Sequence, residues 1–146
     1  MQIDATGLDK LRALELCRLR AYWDRNGWAL GYGQHSIYID ANSTCTKEQA
    51  ERWLEETTRN ISVRLSELIK VPVNQGQFNA LVIFTYNVGC NAFTGSHLLQ
   101  RLNAGDYSGI PYELKRWIYS NHQIDSALET RRAAEIEIWN QASKAA

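Results

Sequence analysis

Proline is nearly missing from this chain of 146 residues, which has only Pro72 and Pro111. There is no Gly/Ser-rich or low-complexity tract either, so nothing marks a linker, and the expectation is one domain over 1–146 with two lobes. Cysteine is scarce and odd in number (Cys17, Cys45 and Cys90), which argues against a disulfide framework. Those thiols and the three histidines, His35, His97 and His122, lack zinc-ligand spacing, so no metal or other cofactor is expected. No apolar run approaches the roughly 20 residues of a membrane span, and no membrane insertion is expected. The opening Met-Gln-Ile-Asp-Ala-Thr has neither a charged n-region nor an apolar h-region, so no secretory signal is expected. A charge surplus is also lacking: 16 Lys and Arg cancel 16 Asp and Glu. That balance counts against nucleic acid or an anionic membrane as the main partner, since both are bound through basic surplus. What remains is 45% apolar and 22% charged, the composition of a soluble globular domain. A chain of this length can bury roughly 68–70% of its unfolded surface.

The hydrophobic pattern is mostly helical. Leu8, Leu11 and Leu14 predict a helix from about residue 4 or 6 to 18. Thr46 with Gln49 is a capping-box pair opening a long helix to about residue 70, where Pro72 follows. Asn74 can cap a helix over 75–88, apolar almost all round, that Gly89 can end. Shorter helices are expected after Ser96 and at Pro111, and a last one over about 126–142. The exception is 21–42, where Trp28-Ala29-Leu30-Gly31-Tyr32-Gly33 and Ser36-Ile37-Tyr38-Ile39 predict a small antiparallel sheet. The fold class is α+β, mainly α-helical.

Glu15 lies on the apolar stripe of the first helix, four residues after Leu11. Such a carboxylate has its charged form disfavoured, which suits a general acid; the plainer alternative is a helix-end Glu paired to Arg12, Arg18 or Arg20. Asp24 precedes Arg25-Asn26-Gly27, and Asp-x-x-Gly is also a common turn. Together the two offer carboxylates on either side of a cleft, the requirement of glycoside hydrolysis. Among the aromatic residues, Tyr32, Tyr86 and Trp28 fall near this proposed cleft. Arg18, Arg20 and Arg25 form a local basic cluster, which is either an ordinary solvated patch or a contact for an anionic polymer.

The run from Glu15 through Asp24, then Gly27 and Ala29-Leu-Gly-Tyr-Gly33, resembles the active-site signature of phage-type lysozymes, the muramidase endolysins. Further blocks follow in order: Thr46-Lys-Glu-Gln-Ala-Glu, Gln75-Gly-Gln-Phe-Asn-Ala-Leu-Val through Tyr86-Asn87-Val88-Gly89, Phe93-Thr-Gly-Ser96, Leu102-Asn-Ala-Gly-Asp-Tyr107, Trp117, and Arg131-Arg-Ala-Ala-Glu135. The resemblance spans nearly the whole chain. It implies a phage-lysozyme-like fold, with a small sheet near the N-terminus and a helical lobe joined by a long helix. It further implies cleavage of the β-1,4 bond between N-acetylmuramic acid and N-acetylglucosamine in peptidoglycan. Glu15 would be the proton donor and Asp24 would position the attacking water. Arg131, with Arg132 as the alternative, would support the glutamate, while Tyr32, Tyr86 and Asn87 would line the glycan cleft. The family is inverting, which goes with carboxylates roughly 6.5–9.5 Å apart. The implied partners are peptidoglycan glycan strands, with no cofactor and the chain a monomer. The enzyme would accumulate in the host cytoplasm and reach the periplasmic wall after holin-dependent release.

Two departures stand out. The family threonine that helps hold the water is Ala29 here, or Leu30 if a one-residue gap is refused, and neither offers a hydroxyl. The histidine usual after Gly-Tyr-Gly is Gln34, with His35 beside it. These departures motivate an alternative, a catalytically impaired lysozyme fold that binds peptidoglycan. A helical DNA-binding or scaffolding protein is disfavoured by the zero net charge.

Overall fold

In the computed structural model, residues 1–25 and 27–145 are described. Asn26, part of the expected turn after Asp24, and Ala146 lie outside them. Helix α1 (Ala5–Glu15) starts where the Asp4 carboxylate accepts the Gly7 N–H. It stops three residues short of the expected end because Leu16 turns left-handed, at φ 53°, and aims the chain into a strand. Strands β1 (Arg18–Asp24), β2 (Gly27–Gly31) and β3 (Gln34–His35) form an antiparallel sheet in that order.

The sheet therefore lies over 18–35 rather than 21–42. The expected strand at 36–39 is replaced by a turn, in which the Ile39 N–H donates to the Ser36 carbonyl and local side chains take donors within and just after it. Ser36 Oγ accepts from Tyr38 N, Ser43 Oγ from Asp40 N, and Asp40 Oδ1 from Asn42 N. Such bonds compete with a ladder, and Ile37 and Tyr38 are left exposed on the turn. At the other end of the hairpin, Trp23 and Trp28 are cross-strand partners with rings 5.4 Å apart, edge to face.

Helix α2 (Lys47–Leu68) crosses from the sheet to the helical lobe. Both halves of the Thr46/Gln49 capping box are formed, and Ala50, Leu54, Thr58, Ile61 and Leu65 make its buried stripe. Helix α3 (Gln75–Val88) begins with a second capping box, Asn74 with Gln77. Every residue from Gln77 to Thr85 is buried, so α3 is the axis of the core, and Gly89 at φ 92° ends it. Around it lie α4 (Cys90–Thr94), α5 (His97–Asn103), a 3-10 turn (Tyr107–Gly109) and α6 (Ile110–Lys115) with Pro111 in its first turn.

A hairpin not anticipated from sequence follows, β4 (Tyr119–Ser120) with β5 (Gln123–Ile124). Its two-residue turn has Asn121 and His122 both at positive φ, the geometry that fits the twist of paired strands. Helix α7 (Ser126–Ala145) then packs along α3 and brings Ile138 and Trp139 into the core. Among the described residues no helix is long and apolar enough to cross a membrane.

Candidate active site

Glu15 is the last residue of α1, and its side chain keeps only 14% of its exposure. Burial pushes its carboxyl above the ordinary carboxylate range, and the charge of Asp24 adds to the rise. Arg131 of α7 opposes both, with Nη2 2.5 Å from Glu15 Oε1. The contact is an ion pair whose alignment is poor for a hydrogen bond. The loop after β2 comes just as close. A Cβ on Gly33 would lie 2.9 Å from Glu15 Oε2 and 3.9 Å from the Tyr22 hydroxyl, and Gly33 sits at φ +79°. Only glycine satisfies both demands without strain.

Behind Arg131 is a buried charge network. Arg131 Nε lies 3.7 Å and Arg132 Nε 2.9 Å from the fully buried carboxylate of Glu135. Burial pushes Glu135 up to about 7, against the pull of Arg132 and Arg131. The Arg132 guanidinium stacks over Phe84 and donates to Asn87 Oδ1 at 2.6 Å. Of the two candidate arginines, it is thus Arg131 that stands at Glu15, while Arg132 ties α7 to the end of α3.

Asp24 ends β1 with its side chain about half exposed. Its Oδ1 accepts the Arg25 N–H at 2.7 Å and its Oδ2 lies 3.1 Å from His35 Nε2. The strand register explains the second contact. Tyr22 pairs with Ala29 and Ala29 with His35, so all three side chains share one face, and Asp24, two residues past Tyr22, shares it too. Arg25 reaches across to Asp125 at the start of α7 and to Ser120 Oγ of β4, clasping the sheet to the helical lobe.

The other expected cleft residues are placed differently from one another. Tyr86 OH donates to the Tyr32 carbonyl at 2.6 Å and accepts from Gln34 Nε2 at 2.8 Å. Burial and the Glu15 charge push its pKa well above the ordinary tyrosine value, so it stays a donor. Asn87 is exposed, at the end of α3. Tyr32 corrects the expectation: its side chain is buried, donating to Glu51 Oε1 and accepting from Lys47 Nζ, both at 2.6 Å. Its ring therefore braces β2 against α2 and offers no face to a sugar. The backbone twist at Gly31 and Gly33 (φ +65° and +79°) defeats simple alternation here, and residues 29–32 are buried on both faces.

Tyr22 is the functional candidate that the sequence reading passed over. Burial, then Asp24 and Glu15, raise its pKa, and Arg18 stacks on its ring at 4.7 Å. Its position two residues before Asp24 was the available signal. Beside the sheet a groove of ≈ 440 Å³ is lined by Gly27, Trp28, His35, Ser36, Ile37 and Ile39. His35, Ser36 and Ile39 also border a second, of ≈ 310 Å³, that reaches Trp53. His35 is thus the side chain joining Asp24 to open concave surface.

A small antiparallel sheet, a long connecting helix and a helical lobe around a buried central helix together define a lysozyme-type fold. The chain belongs to the phage lysozyme family, whose sequence profile matches residues 12–135, and the class is that of cell-wall glycoside hydrolases. It is similar to the endolysin of Acyrthosiphon pisum secondary endosymbiont phage 1, 42% identical over 80% of this chain and 80% of that protein. It is 34% identical to the endolysin of Bacillus phage PZA over 96% of its own length, spanning only 55% of that protein. Among solved structures it is similar to the muramidase domain of SpmX from Asticaccaulis excentricus. There the TM-score is 0.84 at 29% identity, covering 94% of this chain and 97% of that one.

Proposed function

We propose that this chain is an endolysin-type muramidase that hydrolyses the β-1,4 bond between N-acetylmuramic acid and N-acetylglucosamine in peptidoglycan. The carrying observation is Glu15: a carboxyl at a helix end, raised by burial, held by Arg131 and within the field of a second, open carboxylate. A protonated Glu15 delivers its proton to the glycosidic oxygen as the bond to the anomeric carbon breaks. Water attacks that carbon and gives up its proton to Asp24, whose negative charge also favours the oxocarbenium-like transition state. Attack by water opposite the departing group inverts the anomeric centre. Arg131 stays charged and keeps the newly ionised Glu15 in place. Tyr86 and Asn87 line the glycan side at the end of α3. The reading takes 1–146 as one monomeric domain, made in the host cytoplasm and reaching the periplasmic wall through a holin.

The test is clearing of outer-membrane-stripped Gram-negative cells by wild type and Glu15→Gln, with mass spectrometry of released fragments. Wild type is expected to release reducing muramic acid ends, and Glu15→Gln to lose about 10²–10⁴-fold of the rate. Release that survives Glu15→Gln would sink the assigned mechanism. One observation favours a second reading, a wall-binding module that cleaves poorly: Ala29 is fully buried and carries no hydroxyl to hold a water. Sedimentation with sacculi without release of reducing ends would select it.

A further inference from the structure

We infer that His35 is the positioning residue for Asp24, fixing from β3 the carboxylate that would activate the water, in a chain whose β2 carries no hydroxyl beside it. The inference rests on the hydrolase reading above and names what orients its second carboxylate. Strand geometry makes the contact possible. Asp24 is on β1 and His35 on β3, so β2 lies between them, and neighbouring strands are about 4.8 Å apart. The β2 residues on that path are Gly27, opposite Asp24, and Ala29, opposite His35. Neither carries a side chain beyond Cβ, so the imidazole can lean across β2 and bring Nε2 to 3.1 Å from Asp24 Oδ2. A threonine or larger residue at 29 would stand in that path. The small residues at 27 and 29 and the contact above them therefore go together.

The proton inventory fixes the sense of the bond. An ionised carboxylate only accepts, so Nε2 must carry hydrogen whenever Asp24 is charged. Asp24 then holds one donor on each oxygen, the Arg25 N–H on Oδ1 and His35 on Oδ2. Each oxygen keeps a further lone-pair site for the attacking water. A half-exposed carboxylate with one donor would swivel; with two it presents a fixed edge. His35 also lines both grooves beside the sheet, so it sits where a glycan bound there would meet Asp24. Gln34, one residue earlier, is turned the other way, with its amide on Tyr86 and Thr57.

The test compares kcat and KM of wild type, His35→Ala and His35→Gln on soluble glycan fragments of peptidoglycan, with Glu15→Gln as the blank. His35→Ala is expected to lose about 10–100-fold in kcat with KM within about twofold, the scale for removing a partner that orients a functional ligand. His35→Gln, whose amide N–H can reach the same oxygen, regains most of that loss, and all variants keep the thermal midpoint of wild type. A loss carried by KM, a Gln variant no better than Ala, or an Ala variant as fast as wild type overturns the inference. Imidazole nitrogen NMR reads the pair without turnover. An Nε2–H tautomer whose resonance moves in Asp24→Asn is expected; an Nδ1–H tautomer indifferent to that change overturns the contact. An inactive wild type brings down the hydrolase reading and this role with it, whereas an active wild type with an indifferent His35→Ala brings down the role alone.

Discussion

At the scale of the residue, Glu15 is governed by three opposing influences, and each has a sign that can be measured. Burial and Asp24 raise its pKa, and Arg131 lowers it. An acid catalyst fails as it ionises, so in the proposed mechanism Glu15 sets the alkaline limb of kcat/KM. Arg131→Gln removes the one lowering influence, and that limb is expected to move to higher pH; a move to lower pH contradicts the arrangement. The raised pKa also bears on stability. The folded state holds this proton more tightly than the unfolded chain, so the stabilisation is full below the ordinary carboxylate range and is lost as pH rises through the folded value. Glu15→Gln keeps the uncharged form, so on the proposed mechanism it is expected to lose activity while keeping the thermal midpoint at neutral pH. The enclosed position of Glu15 was legible in the sequence because four-residue spacing puts it on the stripe of Leu11. Arg131 was legible only through the resemblance, since helical spacing does not say which of two adjacent arginines faces a residue more than a hundred positions away. The His35–Asp24 contact was legible in neither way, because it depends on the register of β2 with β3.

At the scale of the element, the turn joining β2 to β3 is what brings the sheet up to α1. Gly33 carries a left-handed backbone and leaves room for Glu15. Gly33→Ala is expected to cost about 1–2 kcal/mol from the backbone alone and, by pushing Glu15 Oε2 aside, at least about tenfold in kcat. Gly105→Ala is the control, because Gly105 has a like φ of +84° with nothing within 4 Å of the added Cβ. It is expected to show the stability cost with full activity, by chemical denaturation and turnover on the same samples. The capped helices α2 and α3 were readable because their signals are local: a hydroxyl or amide three residues before a glutamine, then an apolar pattern. The sheet boundaries were not. Leu16 is a leucine in a conformation its residue type rarely adopts, so only tertiary structure marks the end of α1. Tyr32 was misplaced for a related reason: nearness to the cleft in sequence does not say which way a ring points, and the left-handed glycines at 31 and 33 turn the backbone around it.

At the scale of the whole molecule, two bridges tie the sheet end to α7: the ion pair of Glu15 with Arg131, largely enclosed, and the clasp of Arg25 with Asp125, open to solvent. They should not weigh equally. The clasp is exposed on its arginine side, and exposed pairs contribute about 0–1 kcal/mol. Asp125 has a second task, since its Oδ1 accepts the Leu128 N–H in the first turn of α7. Asp125→Ala is therefore expected to cost roughly 0.5–2 kcal/mol for the lost cap, while Arg25→Ala, which breaks the same clasp, stays within about 0.5 kcal/mol of wild type. Equal losses in thermal melts of the two variants would mean that the clasp, not the cap, holds α7. The tryptophan pair at the hairpin has a consequence of another kind. Trp139 is 1% exposed and Trp117 packs on Phe84, whereas Trp23 is 64% exposed and couples to Trp28, whose side chain borders the groove beside His35. Emission from this chain thus has a blue, shielded part that reports the core and a red, quenchable part that reports the hairpin, with half-buried Trp53, at the second groove, between them. The protein carries its own optical label beside Asp24, and occupancy of that groove can be followed with no dye, no tag and no bond broken.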